Sequence, residues 1–162
     1  IKLFNLLDEE YSHLYGTVPL TERQKQSYTQ QYFSFVELDF VPMVVDEKDD
    51  LVAFGVALPS LSKALQKCRG ELFPFGFIYL LQALKKNDRG DLYLIAVKSE
   101  YQGRGLNAVM IHQINQVFNR YGITKVESNP ELETNQAVQA QWKYFEKRQH
   151  KRRRCYLKTI LA

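Results

Sequence analysis

The sequence predicts an α/β domain in which a mixed sheet carries helices. Three observations lead there. Apolar residues near the start recur with a helical period. Two β-rich runs flank a polar turn at 46–50. A buried-type strand at 91–97 runs through a glycine-containing loop into an amphipathic helix. The chain has 162 residues, about one domain's worth. No apolar run approaches the ~20 residues of a membrane span. The 2 cysteines, Cys68 and Cys155, make no disulfide framework, which points to a reducing, cytoplasmic compartment. The chain opens Ile1-Lys2-Leu3 without a signal-peptide pattern.

In chain order, Ile1, Phe4, Leu7, Tyr11 and Leu14 form one stripe of a first helix, interrupted by Gly16 and Pro19. Thr21 and Gln24 have capping-box spacing and start a second helix, expected to reach Leu38 with Tyr28, Tyr32, Phe35 and Val36 along it. Residues 40–45 and 51–58 pair as a hairpin across Asp46–Asp50, and Pro42 suits an edge or a strand start. Residues 59–90 are a helical insertion: Ser60 caps 61–67, Gly70 ends it, and 78–86 forms another helix before the Asn87–Gly90 turn. Then come strand 91–97, a helix 106–121 with Leu106, Met110, Ile114, Val117 and Tyr121 on one face, and a strand 124–128. A helix at 133–148 and a closing strand at 153–161 complete the expectation.

The informative stretch is the loop Lys98-Ser99-Glu100-Tyr101-Gln102-Gly103-Arg104-Gly105 between strand and helix. A helix N-terminus presents unpaired N–H groups and a partial positive charge. Glycines there let a phosphate come close to the backbone. Gln102 has an amide donor and Arg104 a positive side chain. These features describe an anion site fit for a pyrophosphate.

Two families fit this loop. Gly103-Arg104-Gly105-Leu106-Asn107-Ala108 spells the G-x-G-x-x-A of a dinucleotide-binding fold, and Glu127 ends the next strand where a ribose-binding acid would sit. Against it, five residues separate Val97 from Gly103, and that fingerprint usually opens its fold. Gln102-Gly103-Arg104-Gly105-Leu106 resembles instead the Q/R-x-x-G-x-G/A motif of the GNAT acyltransferase superfamily, with Gln102 and Gly105 in register. The element order around it also resembles that family, and Asn135 before a helix resembles its later N-x-x-A segment. Three positions depart from the pattern. Asn107 stands where the motif has Gly or Ala, Trp142 where the family often has a tyrosine, and the usual first strand is not visible. Together with the inserted 59–90 segment, this resembles the C-terminal domain of larger bacterial GNAT-like proteins, so an N-terminal domain of the same chain is expected as a partner.

The resemblance implies a GNAT-like fold with a helical insertion before the central strand. It implies acetyl-CoA or another acyl-CoA as co-substrate and an amine as acceptor. The pyrophosphate would lie on the backbone of Gln102, Gly103, Arg104, Gly105, Leu106 and Asn107. The pantetheine would run beside Ala96 and Val97, and Asn135 would touch it. Transfer needs a base for the amine and an acid for the thiolate; Glu127 and Tyr144 are the candidates, each with an ordinary surface role as the rival reading. A non-catalytic CoA-binding or interaction module is the alternative.

Other features carry less. Cys155 has no histidine placed to activate it. His13, His112 and His150 show no metal-ligand spacing. The net charge is +4, but roughly eight basic residues against one acid, Glu146, fall between Lys143 and Lys158. This is a local patch around Lys151–Arg154: a solvated edge, or an attractor of acidic groups such as the CoA phosphates. Nucleic-acid binding wants a broader basic face with aromatic platforms.

Overall fold

The computed structural model describes residues 1–33 and 36–159. They fall into two compact units, Ile1–Glu127 and a second that opens at Ser128. The first holds α1 (Lys2–Tyr11), α2 (Glu22–Phe33), β1 (Met43–Val45), β2 (Leu51–Pro59), α3 (Ser62–Lys67), α4 (Gly76–Lys85), β3 (Arg89–Val97) and α5 (Leu106–Arg120), and leads into β4 (Lys125–Ser128). The second holds α6 (Gln136–Gln141) and a 3-10 turn, Trp142–Tyr144.

The sheet is mixed and ordered β1-β2-β3-β4. β1 pairs antiparallel with β2, and β2 with β3. α5 then carries the chain back, so that β4 starts beside the start of β3. There the N–H groups of Thr124 and Lys125 both donate to the Asp88 carbonyl, at 3.0 and 3.1 Å.

β2 is buried along nearly its whole length, because it is covered on both faces. Alternation sends Phe54 and Val56 toward α1, where they pack with Leu6 and Ala96. It sends Ala53 and Ala57 the other way, into clusters with Met110, Ile114, Val117 and Phe118 of α5. The expected α5 stripe is therefore the buried one, with Phe118 added. At Gly90 the fit is close: a Cβ there would meet the Phe118 ring at 2.7 Å. The absence of a side chain lets the far end of α5 lie against β3.

α1 and α2 are joined by a buried cation. Lys25 Nζ lies 3.0 Å from Asp8 and 3.2 Å from Glu22 and donates to Asn5 Oδ1 at 2.8 Å; its side chain is 9% exposed. The hydrogen bond to Asp8 leads the causes that hold this ammonium above the ordinary lysine value. A pKa raised on folding stabilises the fold fully below the unfolded value of ~10.4 and is lost as pH rises through the folded one. Lys25→Met is thus expected to lower Tm at pH 8, and the gap to wild type should narrow toward pH 12. A constant gap in thermal melts would remove the ammonium as its cause.

The capping box is formed as expected. Gln24 N–H donates to Thr21 Oγ1 at 3.3 Å, and Thr21 N–H to Gln24 Oε1 at 2.9 Å. α3 and α4 fill the insertion between β2 and β3.

Several expectations change. Leu61 rather than Ser60 is the N-cap of α3, without a side-chain cap, and the α1 residues packed on the sheet are Leu3, Leu6, Leu7 and Tyr11. α2 ends at Phe33 rather than Leu38, and Phe35 lies outside the described residues. The chain enters β1 through a 3-10 turn, Leu38–Phe40, that buries Phe40. The helix expected over 133–148 is only α6 and its 3-10 turn, because Gln136–Gln141 buries no residue and so short a helix has little stability of its own. The closing strand at 153–161 does not form over 153–159, which are exposed throughout; the remainder lies outside the described residues. Three consecutive arginines favour solvent over a ladder, and Arg152 pairs with Glu133 at 3.0 Å.

Candidate functional site

The 98–105 loop folds by satisfying its own first half and leaving the second half open. A 3-10 turn at Ser99–Tyr101 uses the N–H of Tyr101 on Lys98 O at 2.8 Å, and that of Gln102 on Ser99 O at 3.2 Å. Gly103 and Gly105 then take left-handed backbone, with φ of +73° and +82°, which glycine adopts without the steric cost other residues meet. The first helical bond of α5 runs from Val109 N–H to Gly105 O at 3.2 Å. Among the described residues, the N–H groups of 103–108 have no protein acceptor. A Cβ on either glycine would meet nothing within 4 Å, so this face is open. Arg104 stacks its guanidinium over the Tyr101 ring, 5.1 Å from the centroid. The concentration of free N–H groups at a helix N-terminus, with a cation beside it, fits a pyrophosphate. Asn107 Oδ1 is buried and has no partner among the described residues.

The closed half is anchored from 89 to 92 residues away in sequence. Glu10 of α1 is 8% exposed. Its Oε1 accepts from Ser99 N–H at 2.8 Å; its Oε2 accepts from Ser99 Oγ at 2.9 Å and from Gln102 Nε2 at 3.2 Å. Gln102 Nε2 also donates to Val97 O at 3.0 Å. The amide donor of Gln102 is therefore spent within the protein, and the loop offers an anion its backbone and Arg104.

The edge of β3 continues the site. Lys98 N–H bonds Val52 O at 2.8 Å, and Gly55 N–H bonds Pro42 O at 2.9 Å. In an antiparallel ladder, hydrogen-bonded and non-bonded pairs alternate. The pairs Gly55↔Ile95 and Ala53↔Val97 are therefore non-bonded, and the peptides of Ile95 and Val97 turn away from β2. Their carbonyls are taken by Tyr11 OH at 2.9 Å and by Gln102 Nε2. Ala96, expected with Val97 beside the pantetheine, has its own peptide turned toward Phe54 and is buried, 4% exposed. Burial pushes the Tyr11 phenol up despite its bond to Ile95. Farther along, the register slips between Val56↔Leu94 and Ala57↔Leu92. Tyr93 is thus the extra residue of a bulge. Burial, then Asp91 and Tyr32, raise its phenol.

The structure brings Val97, Gln102, Gly103, Arg104, Gly105, Leu106 and Asn107 together at one end of β3. Glu127 lies exposed on β4. Asn135 and Tyr144 belong to the second unit. Asn135 caps α6, its Oδ1 accepting from Val138 N–H at 3.3 Å. Tyr144 is 80% exposed, with Lys143 Nζ 4.6 Å from its ring centroid. Trp142 donates its indole N–H to Glu131 Oε1 at 2.8 Å. Among the described residues no His, Cys, Asp and Glu group is arranged to hold a metal, and no helix is long and apolar enough to cross a membrane.

Sequence reasoning gave no site role to Glu10, Ser99 or Tyr11 and did not find the Tyr93 bulge. Only Glu10 left a signal: with Leu3, Leu6 and Leu7 it occupies the core-facing stripe of α1, where a charge is out of place.

Comparison with known proteins agrees with this geometry. Protein YghO of Escherichia coli (strain K12) is 29% identical over 164 aligned residues, covering 98% of this chain and 42% of its own length. Among solved structures, the aminoglycoside antibiotic 6'-N-acetyltransferase AAC(6')-Ih from Acinetobacter baumannii has a TM-score of 0.57 at 14% identity, over 98% of this chain and 90% of its own. The aminoglycoside acetyltransferase meta-AAC0020 from an uncultured soil metagenomic sample has a TM-score of 0.57 at 11% identity, over 98% of this chain and 87% of its own. Likeness at such identities speaks for the fold. The model described as the acetyltransferase (GNAT) family matches residues 1–150, most of the chain, and with the loop, strand edge and helix in that family's order, the chain belongs to the acetyltransferase (GNAT) family.

Proposed function

We propose that this chain is an acyl-CoA-dependent N-acyltransferase that moves an acetyl group from acetyl-CoA to an amine. The observation that carries the reading is the open set of N–H groups over 103–108, beside Arg104 and at the end of the strand whose Ile95 and Val97 peptides face outward. The backbone of 103–107 would hold the pyrophosphate. The outward N–H groups of Ile95 and Val97 would hold the arm. Acyl-CoA supplies an activated thioester whose leaving thiolate, with a parent pKa near ~8.5, needs little help. Glu127 would take the proton from the attacking amine.

Calorimetric titration with acetyl-CoA tests the reading, followed by thiol release across an amine panel that includes an aminoglycoside and a peptide N-terminus. Saturable heat and amine-dependent thiol release are expected. No heat with any acyl-CoA would sink the proposal. A second reading, a CoA-binding module without turnover, is favoured by the indole of Trp142, whose N–H is committed to Glu131. Binding without thiol release on any amine would select it.

A further inference from the structure

We propose that Glu10 of α1 is a positioning residue for acyl-CoA, acting through Ser99 and Gln102 on the loop that follows β3. The inference rests on the acyl-CoA reading above and goes beyond it in assigning the loop's shape to a carboxylate on another element.

The chemistry of the contact is unusual for its place. A buried carboxylate next to an anion-binding loop opposes the anion by charge alone, and burying it costs free energy unless it is well bonded. Glu10 has no cation within ion-pair distance among the described residues. It is held instead by three donors: Ser99 N–H, Ser99 Oγ and Gln102 Nε2. These donors all come from the turn immediately before Gly103. The carboxylate thus draws these three donors inward, away from the loop's open face. It fixes Gln102, whose Nε2 also closes on Val97 O at 3.0 Å, and so ties the loop to the strand edge. The neighbouring residue Tyr11 grips the same edge at Ile95 O. With residues 99–102 fixed, Gly103 and Gly105 are left to aim their N–H groups outward. Glutamine at position 10 keeps the length and one acceptor for Ser99 N–H. Its own N–H₂ would, however, face the N–H₂ of Gln102, so that bond is lost.

The experiment compares Glu10→Ala, Glu10→Gln and wild type by two readouts. The first is the hydrogen-exchange protection of the backbone N–H groups of Tyr101 and Gln102 in the unliganded protein; both donate inside the turn and neither backbone N–H bonds Glu10. The second is the acetyl-CoA Kd, read with KM for acetyl-CoA, KM for the amine and kcat. Hydrogen bonds to a charged group are strong enough that Glu10→Ala should raise Kd about tenfold or more. Glu10→Gln should fall between it and wild type. KM for the amine should stay unchanged, and protection of Tyr101 and Gln102 should drop in both variants. Protection equal to wild type in both variants, or a Kd within twofold of wild type or tighter in both, overturns the proposal. If Glu10→Ala does not fold, Glu10→Gln decides alone by the same criteria. If wild type itself gives no heat with acetyl-CoA, the function proposed above fails, and the exchange comparison alone decides whether Glu10 holds the loop.

Discussion

Gly105→Glu is expected to abolish acetyl-CoA binding in calorimetry while leaving a folded protein. Gly105 sits at φ +82° with open space where a Cβ would stand. A side chain there clashes with nothing in the protein, and the backbone strain costs only about 1–2 kcal/mol. On a chain of this size that lowers Tm by a few degrees. The effect on binding is far larger. The new carboxylate stands at the N-terminus of α5, on the face where the free N–H groups of 103–108 converge. It takes those donors for itself and repels a pyrophosphate. Losing two charge-assisted hydrogen bonds of ~1.5–3 kcal/mol each predicts a Kd at least about a hundredfold weaker. Gly105→Ala separates the causes: it carries the strain without the charge, and should weaken binding far less. Equal affinity in wild type and Gly105→Glu would move the anion site away from this loop.

The loop could be read in the sequence because its chemistry is local. Glycine where φ must be positive, a strand before and an amphipathic helix after are all nearest-neighbour signals. The Thr21–Gln24 cap is local in the same way and formed where expected; the hairpin across Asp46–Asp50 also formed, with its first strand cut back to Met43–Val45. What could not be read depends on distant partners. Glu10 acquires its meaning only when α1 is laid across the end of β3, 89 residues away at Ser99. The Tyr93 bulge falls inside Leu92-Tyr93-Leu94-Ile95-Ala96-Val97, an apolar run without alternation, so a slipped register leaves no trace in the pattern. The segment after 133 failed for a related reason. No residue from Glu133 to Thr159 is buried, so over these described residues neither the long helix nor the closing strand gains a buried face to stabilise it. Periodicity placed the Met110, Ile114 and Val117 face correctly, because a buried stripe on one helix needs no knowledge of what covers it.

Met110→Ala is expected to weaken both the fold and the site, and a second core variant shows that the two losses are separable. Met110 is fully buried, packed with Ala53 and Val97, and flanked by Ile95, Tyr101 and Leu106. Removing most of its side chain costs about 2–5 kcal/mol in lost burial and a residual cavity. Against a total stability of ~5–15 kcal/mol, this should lower Tm by roughly 5–15 °C. Phe118→Ala offers a matched loss of about 3–5 kcal/mol at the other end of α5, where Phe118 lies against Gly90 and packs with Phe40 and Ile123. Both variants should melt early. At a temperature well below both transitions, only Met110→Ala should raise the acetyl-CoA Kd, because its cavity lies under Val97, Tyr101 and Leu106. These are the residues that set where the strand ends, where the turn sits and where the helix begins. Packing transmits strain over short distances in a dense interior, so the far end of α5 has no such path to the loop. If the two variants lost affinity in proportion to their lost stability, the site would depend on the whole fold, and Met110 would have no special part in it.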